Sequence, residues 1–210
     1  LTPLVLDTFG VSQVKIYLGG KITKNGWRHP LVKGLDRVNP EPDAWPILPG
    51  ALFGHDYTGP FFIGCDHGCY HGRNQHGLQT AVAEYSCCVD VMYRRPDVVR
   101  ACLAAIDKSD LIFAWLPTAD AHGTLFELGY AHARGKCIVI ATPNRRKITD
   151  TWFALETARV YECDTPGDLL SCLSDLPVGD FLPSEVLSVF DHVSEHLASL
   201  VHAGTWGTSA

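Results

Sequence analysis

Apolar positions are densest between Leu111 and Thr142, where the chain reads LIFAWLPTADAHGTLFELGYAHARGKCIVIAT. Leu111 to Leu116 and Cys137 to Thr142 are short, nearly unbroken apolar runs, the pattern of strands buried on both faces. Between them Gly123 permits a sharp turn, Thr124 suits a helix N-cap and Gly135 a stop, which predicts a helix of about three turns. A strand, turn, helix, strand unit this compact makes its strands parallel neighbours with a right-handed crossover. The turn from Pro117 to Gly123 then lies at the carboxyl end of a strand, where open α/β sheets receive their ligands.

The rest of the pattern extends this unit in both directions. Val14 to Leu18 reads as a first strand, closed by a glycine turn at Gly19 and Gly20. Residues Lys21 to Gly59 show no strong periodicity and much Gly and Pro, the pattern of a binding loop or of a set of short elements, with a short strand at Pro46 to Pro49. Phe61 to Ile63 suits another strand, and Leu78 to Arg95 a helix with Ala81, Val82, Tyr85, Val89 and Met92 on one face. Pro96 opens a helix to about Lys108 whose Val99, Leu103 and Ile106 are expected to face the sheet. Further on come a helix from Ile148 to Ala158, a last strand from Arg159 to Cys163 and a short helix from Pro166 to Leu176. A long amphipathic helix from Ser184 to His202 follows, with Val186, Phe190, Val193, Leu197 and Leu200 in one stripe. Residues 203–210 form a polar tail, expected to be mobile. The expectation is a single α/β domain over residues 1–210, with its core at about 14–202. It should be flavodoxin-like, a doubly wound sheet of about five parallel strands flanked by helices.

Composition narrows the partners. The 210 residues carry a formal net charge of −6 with 19% charged residues, so a nucleic-acid polymer is not the expected partner. No apolar run is long enough to span a bilayer and no signal-peptide pattern opens the chain, so a soluble, cytoplasmic protein is expected with no membrane association. Eight cysteines at irregular positions, among them Cys102, Cys137 and Cys172, read as reduced and buried.

Two carboxylates mark the central turn, Asp120 in the loop and Glu127 in the helix after it. Thr124 and Glu127 also have the spacing of a capping box, in which the Glu reaches back to the N-cap amide and does no chemistry. Both readings of Glu127 follow from the local pattern. Arg28 could meet a phosphate or an acidic ligand, though a surface ion pair is the commoner fate of such a residue. The same choice, phosphate or solvated turn, applies to the basic loop from Asn144 to Lys147. Cys65, His67, Cys69 and His71 in the glycine-rich stretch after Ile63 lack the paired spacing of a structural zinc site. A zinc-dependent hydrolase or zinc-stapled domain over residues 65–76 therefore stands beside a solvated loop, or a loop lying over the ligand rim.

The string D-x-x-G-T-x-x-E-L-G-Y-A-x-x-x-G-K from Asp120 to Lys136 resembles the signature of the nucleoside 2-deoxyribosyltransferase family and its nucleotide N-glycosidase relatives. Lys15 to Gly20 resembles the family's first strand and glycine turn, and Trp27-Arg28 a pair found after it in many members. The resemblance implies that Glu127 is the nucleophile attacking the anomeric carbon of a sugar. It implies that Asp120 supplies or holds the proton of the base, and that Tyr17 lines the pocket with Gly19, Gly20, Gly123 and Thr124. Asp66 and His67, in the loop over the rim, are candidates for contacts to base or sugar. Asp150 is a candidate for a sugar hydroxyl across a homodimer. The implied partner is a small nucleoside or nucleotide, and no cofactor is required. The chemistry is consistent with this reading, because a carboxylate can stabilise or capture an oxocarbenium-like centre as a nucleobase leaves.

The chain departs from the family in two places. The usual spacing puts a carboxylate where Ala121 stands, and an Asp eight residues before the strand-opening Asp110 where Cys102 stands. The ordinary pattern of base recognition is therefore not carried over. Competing readings are an NAD glycohydrolase or nucleotide-binding module on the same scaffold. The cytokinin-activating phosphoribohydrolases also use G-T-x-x-E, but their Pro-Gly-Gly lead-in is absent before Gly123.

Overall fold

The computed structural model of the chain describes residues 13–22, 26–35, 38, 45–61, 95–175, 185, 187–192 and 195. Six strands form one sheet: β1 (Lys15–Gly20), β2 (Leu48–Leu52), β3 (His55–Gly59), β4 (Leu111–Trp115), β5 (Cys137–Thr142) and β6 (Arg159–Glu162). Their order across the sheet is β2-β3-β1-β4-β5-β6. All neighbours run parallel except β2, which lies antiparallel to β3 at the edge. The doubly wound, flavodoxin-like arrangement with five parallel strands is thus present, with one antiparallel edge strand added. The chain runs from β1 outward to β3 on one side, then returns to β4 on the other. The crevice between the carboxyl ends of β1 and β4 is the switch point where such sheets place ligands.

The helices are α1 (Arg95–Lys108), α2 (His122–Ala133), α3 (Trp152–Leu155) and α4 (Pro166–Leu170), with 3-10 turns at Arg145–Thr151 and Ser171–Asp175. Residues of β1 and β4 alternate between two covered faces, as strand geometry requires. Phe113 packs with Trp27 at a ring separation of 6.2 Å and with Phe190 at 6.3 Å. Ala114, pointing the other way, meets the Gly19 and Thr124 contact beneath α2. The core on both faces is fully enclosed: Ile16, Leu18, Ile112, Phe113, Val139 and Ile140 expose no surface. Burial of this kind supplies most of the driving force for the fold.

Several expectations are corrected. The stretch from Lys21 to Gly59, read as a binding loop or a set of short elements with one strand at Pro46 to Pro49, holds two strands, β2 and β3. They are joined by a two-residue turn at Phe53 and Gly54, with positive φ at both residues. That geometry suits Asn-Gly or Asp-Gly, so a Phe in the first position hides the hairpin from a sequence reader. In α1 the buried stripe is Ala101, Ala105 and Ile106, with Val98 and Cys102 beside it, while Val99 is 49% exposed. Small residues let α1 lie close to the sheet, and the larger Val99 is turned outward. The helix expected from Ile148 to Ala158 is a 3-10 turn beginning at Arg145 followed by the single turn of α3. Gly19 and Gly20 are the last residues of β1, not a turn after it. The expected strand residues Phe62 and Ile63, the helix from Leu78 to Arg94, most of the Ser184 to His202 helix and the tail lie outside the described residues. Within that last helix, Phe190 is buried against Phe113 and Tyr161.

Gly20 closes β1 at φ 135°, and a Cβ there would sit 2.8 Å from the Trp115 carbonyl oxygen. Gly20→Ala is therefore expected to cost about 1–3 kcal/mol, from backbone strain and contact with a rigid neighbour. Urea unfolding of the variant should show an earlier midpoint, and an unshifted one would contradict this account of the strand end.

Candidate active site

The end of β1, the loop after β4 and the first turns of α2 converge at the switch point. Helix α2 begins earlier than its sequence suggests. Its N-cap is Ala121, which has no side-chain cap, and Thr124 is buried inside the first turn. Glu127 is thus in the second turn, too far along for a capping box with Thr124. The carboxylate does something else: its Oε1 accepts a hydrogen bond of 2.6 Å from the Tyr17 hydroxyl. Helix side chains slant toward the N-terminus of their helix, which carries the Glu127 carboxylate back to the rim of the sheet. The open question left by the local pattern is decided in favour of the crevice.

Close packing makes this contact possible. Gly19 sits beside Ala114 on the neighbouring strand, and a Cβ on it would lie 3.2 Å from the Thr124 methyl. With no side chain there, α2 rests directly on β1 and brings Glu127 within reach of Tyr17. Gly123 plays a different part from the expected sharp turn, because it lies exposed in the first turn of α2 with open space where a side chain would be.

Cys102 joins the pair from α1. Burial, with the Glu127 charge adding to it, pushes its thiol up to about 12, so it stays protonated. Burial also raises Glu127 above its ordinary value, opposed by the Tyr17 hydrogen bond, the positive charge of Arg28 and the Cys102 hydrogen bond. Tyr17 is fully buried and its hydroxyl is pushed well up, first by burial and then by the Glu127 charge, so it remains a donor. A carboxylate whose charge is partly desolvated is a stronger nucleophile than one in water, provided it is ionised.

Asp120 occupies the outer rim. It is exposed and accepts 2.6 Å contacts from Lys21 Nζ and from the Thr118 hydroxyl. These two hydrogen bonds hold its carboxyl down at about 2, so it is ionised at neutral pH. Asp150 is exposed in the 3-10 turn after β5, on the same rim of the sheet. Asp66, His67 and the whole of residues 65–76 lie outside the described residues. Among the described residues no group of three His, Cys, Asp or Glu side chains could hold a metal ion. No described helix is long and apolar enough to cross a membrane.

Two residues at or beside the site escape the sequence reading. A Cys in a helix carries no signal of its own, so Cys102 reads as helix surface or core. The departure from the family pattern at that position is the one pointer to it, and the structure puts Cys102 beside the nucleophile candidate. Arg28, expected on the surface, is only 1% exposed. The Trp-Arg pair holds the clue, since a guanidinium stacked on an indole is readily buried.

No curated protein matches the chain. Residues 92–184 match the family model described as Nucleoside 2-deoxyribosyltransferase, a stretch that holds Cys102, Asp120, Glu127 and Asp150. The stretch that matches includes the whole of Asp120 to Lys136, so the family model and the motif point to the same family over residues 92–184.

Proposed function

We propose that this protein cleaves the N-glycosidic bond of a nucleoside or nucleotide, with Glu127 as the nucleophile, and passes the sugar to another base or to water. The observation that carries the proposal is the Glu127 carboxylate itself, turned off its own helix end and held by Tyr17 at the switch point. Tyr17 takes Oε1, which leaves Oε2 for the anomeric carbon. Attack forms an ester C–O bond and breaks the C–N bond, whose electron pair departs with the base. A second base or a water then attacks the same carbon, breaks the ester and regenerates the carboxylate. With water, the proton it loses passes to solvent.

Asp120 fits the role of base-binding partner better than that of proton donor, since Lys21 and Thr118 keep it ionised. An ionised carboxylate accepts a hydrogen bond from a base that already carries its proton. The same observation supports a second reading in which the substrate is NAD, because its nicotinamide departs as a neutral molecule with no proton needed. Gly19, Gly20, Gly123 and Thr124 are the further substrate contacts in this reading, and Asp66 and His67 are carried over from the sequence as contacts to base or sugar. Trp152 and Phe153, 63% and 73% exposed, stand just after Asp150. Exposed aromatics there support a homodimer in which Asp150 reaches the partner's sugar.

Incubation with a panel of nucleosides, nucleotides and NAD, followed by chromatography, is expected to show release of free base from at least one of them. Adding an acceptor base should give a new nucleoside if the enzyme transfers. Glu127→Ala should lower the rate by about 10³-fold or more. A variant as active as the parent would remove Glu127 from the chemistry.

The pH dependence of stability follows from the same group. With the folded pKa raised, its contribution to stability is full in acid and is lost as pH rises through the raised value. Glu127→Gln cannot ionise. It should therefore resist heating better than the parent at about pH 8, with the difference shrinking toward about pH 4. Thermal melts across that range check this, and an equal difference at every pH would contradict the burial of a charged Glu127.

A further inference from the structure

Arg28 is among the largest fully buried side chains of the protein, and it makes no ion pair among the described residues. Its partners are backbone carbonyls. Nε donates to Leu18 O at 2.9 Å, Nη2 to Gly20 O at 2.7 Å and Nη1 to Lys21 O at 3.2 Å. The guanidinium also lies 4.5 Å from the centroid of the Trp27 ring.

The choice of carbonyls has a reason in the sheet. Carbonyls of alternate residues leave a strand on the same side. On β1 the even-numbered ones face β3: Val14 O accepts from Asp56 N at 3.0 Å and Ile16 O from the Thr58 hydroxyl at 3.0 Å. The odd-numbered Lys15 O faces β4 and accepts from Asp110 N. Register pairing between β1 and β3 stops at Tyr17 and Gly59, while β1 continues against β4 to Gly20. Leu18 O and Gly20 O are the next two carbonyls in the row, left without a strand to meet. Arg28 takes both. It then reaches Lys21 O, one residue further, whose side chain holds Asp120.

Charge adds a second link. The ionisable groups around Arg28 are Tyr57, Tyr17, Glu127 and Cys102. Burial pushes both tyrosines and the cysteine up, so Glu127 is the member of the set that becomes an anion in the ordinary pH range. A buried cation without a contacting carboxylate favours an anion nearby.

We propose that Arg28 is the positioning residue of this site: it replaces a missing strand along the end of β1, so fixing Tyr17, which holds Glu127, and Lys21, which holds Asp120. The catalytic part of this inference rests on Glu127 being the nucleophile. The link between Arg28 and Glu127 does not.

The test is an unfolding cycle of the parent, Arg28→Gln, Glu127→Gln and the double variant, with pH profiles of base release for the parent, Arg28→Gln and Arg28→Lys. The expected result is non-additivity: Arg28→Gln is better tolerated when Glu127 is already Gln, by about threefold or more in the unfolding constant. Folding of Arg28→Gln only in the Glu127→Gln background would equally support the link. In activity, the acid limb of kcat/KM should move to higher pH in Arg28→Gln. In Arg28→Lys it should return while kcat stays low, because Lys keeps the charge and loses the fork. Additive unfolding, an unmoved acid limb in a folded Arg28→Gln, or failure to fold in both backgrounds would overturn the proposal and leave Arg28 a strut of the sheet. If the parent releases no base from any substrate, the functional reading fails while the unfolding cycle still decides the role of Arg28.

Discussion

The hydrogen bond between Tyr17 and Glu127 joins the first strand of the sheet to the helix that follows its central strand, and the geometry of the site depends on it. It requires β1 and β4 to be adjacent and parallel, because only then do the carboxyl end of one and the helix after the other share a rim. It requires α2 to lie flat on β1, which the missing side chain of Gly19 permits. It also requires the carboxylate to be out of water. Burial there disfavours the charged form of Glu127.

That cost is offset locally. Tyr17 donates from one side, Cys102 lies alongside, and the charge of Arg28 stands behind the strand. Each of the four comes from a different part of the chain: β1, the segment after it, α1 and α2. Asp120 is the counter-example. It lies further out, paired with Lys21 in water, and surface pairs of that kind are individually weak. The site thus has two carboxylates in opposite environments, one desolvated and pushed up, the other hydrated and held down. Such a division suits chemistry in which one attacks and the other recognises.

Much of this was legible without coordinates. The strand, helix, strand unit from Leu111 to Thr142 appeared with its strands at the expected positions, because long apolar runs bounded by Gly and polar residues leave few alternatives. The start of α2 was misplaced. Thr124, Glu127 and Gly123 satisfy the local rules for a helix end, yet the chain turns at Asp120 and the helix opens at His122. Among the described residues a capping box does form at Thr165 and Asp168, opening α4. Local rules identify residues able to cap, and packing selects which of them do.

The sequence alone determined the fold class, the crossing of strand and helix at a ligand rim, and Glu127 as the carboxylate to examine, since these follow from periodicity, turn chemistry and a specific motif. The tertiary structure decided the rest. It turned Glu127 toward Tyr17, drew Cys102 onto the inner face of α1 beside small alanines, and buried Arg28 where β3 stops short of β1. Those outcomes depend on distances between residues far apart in the chain. A carbonyl row left open by one strand's length, or a carboxylate's choice between a near amide and a distant hydroxyl, is fixed only when the whole sheet has closed around it.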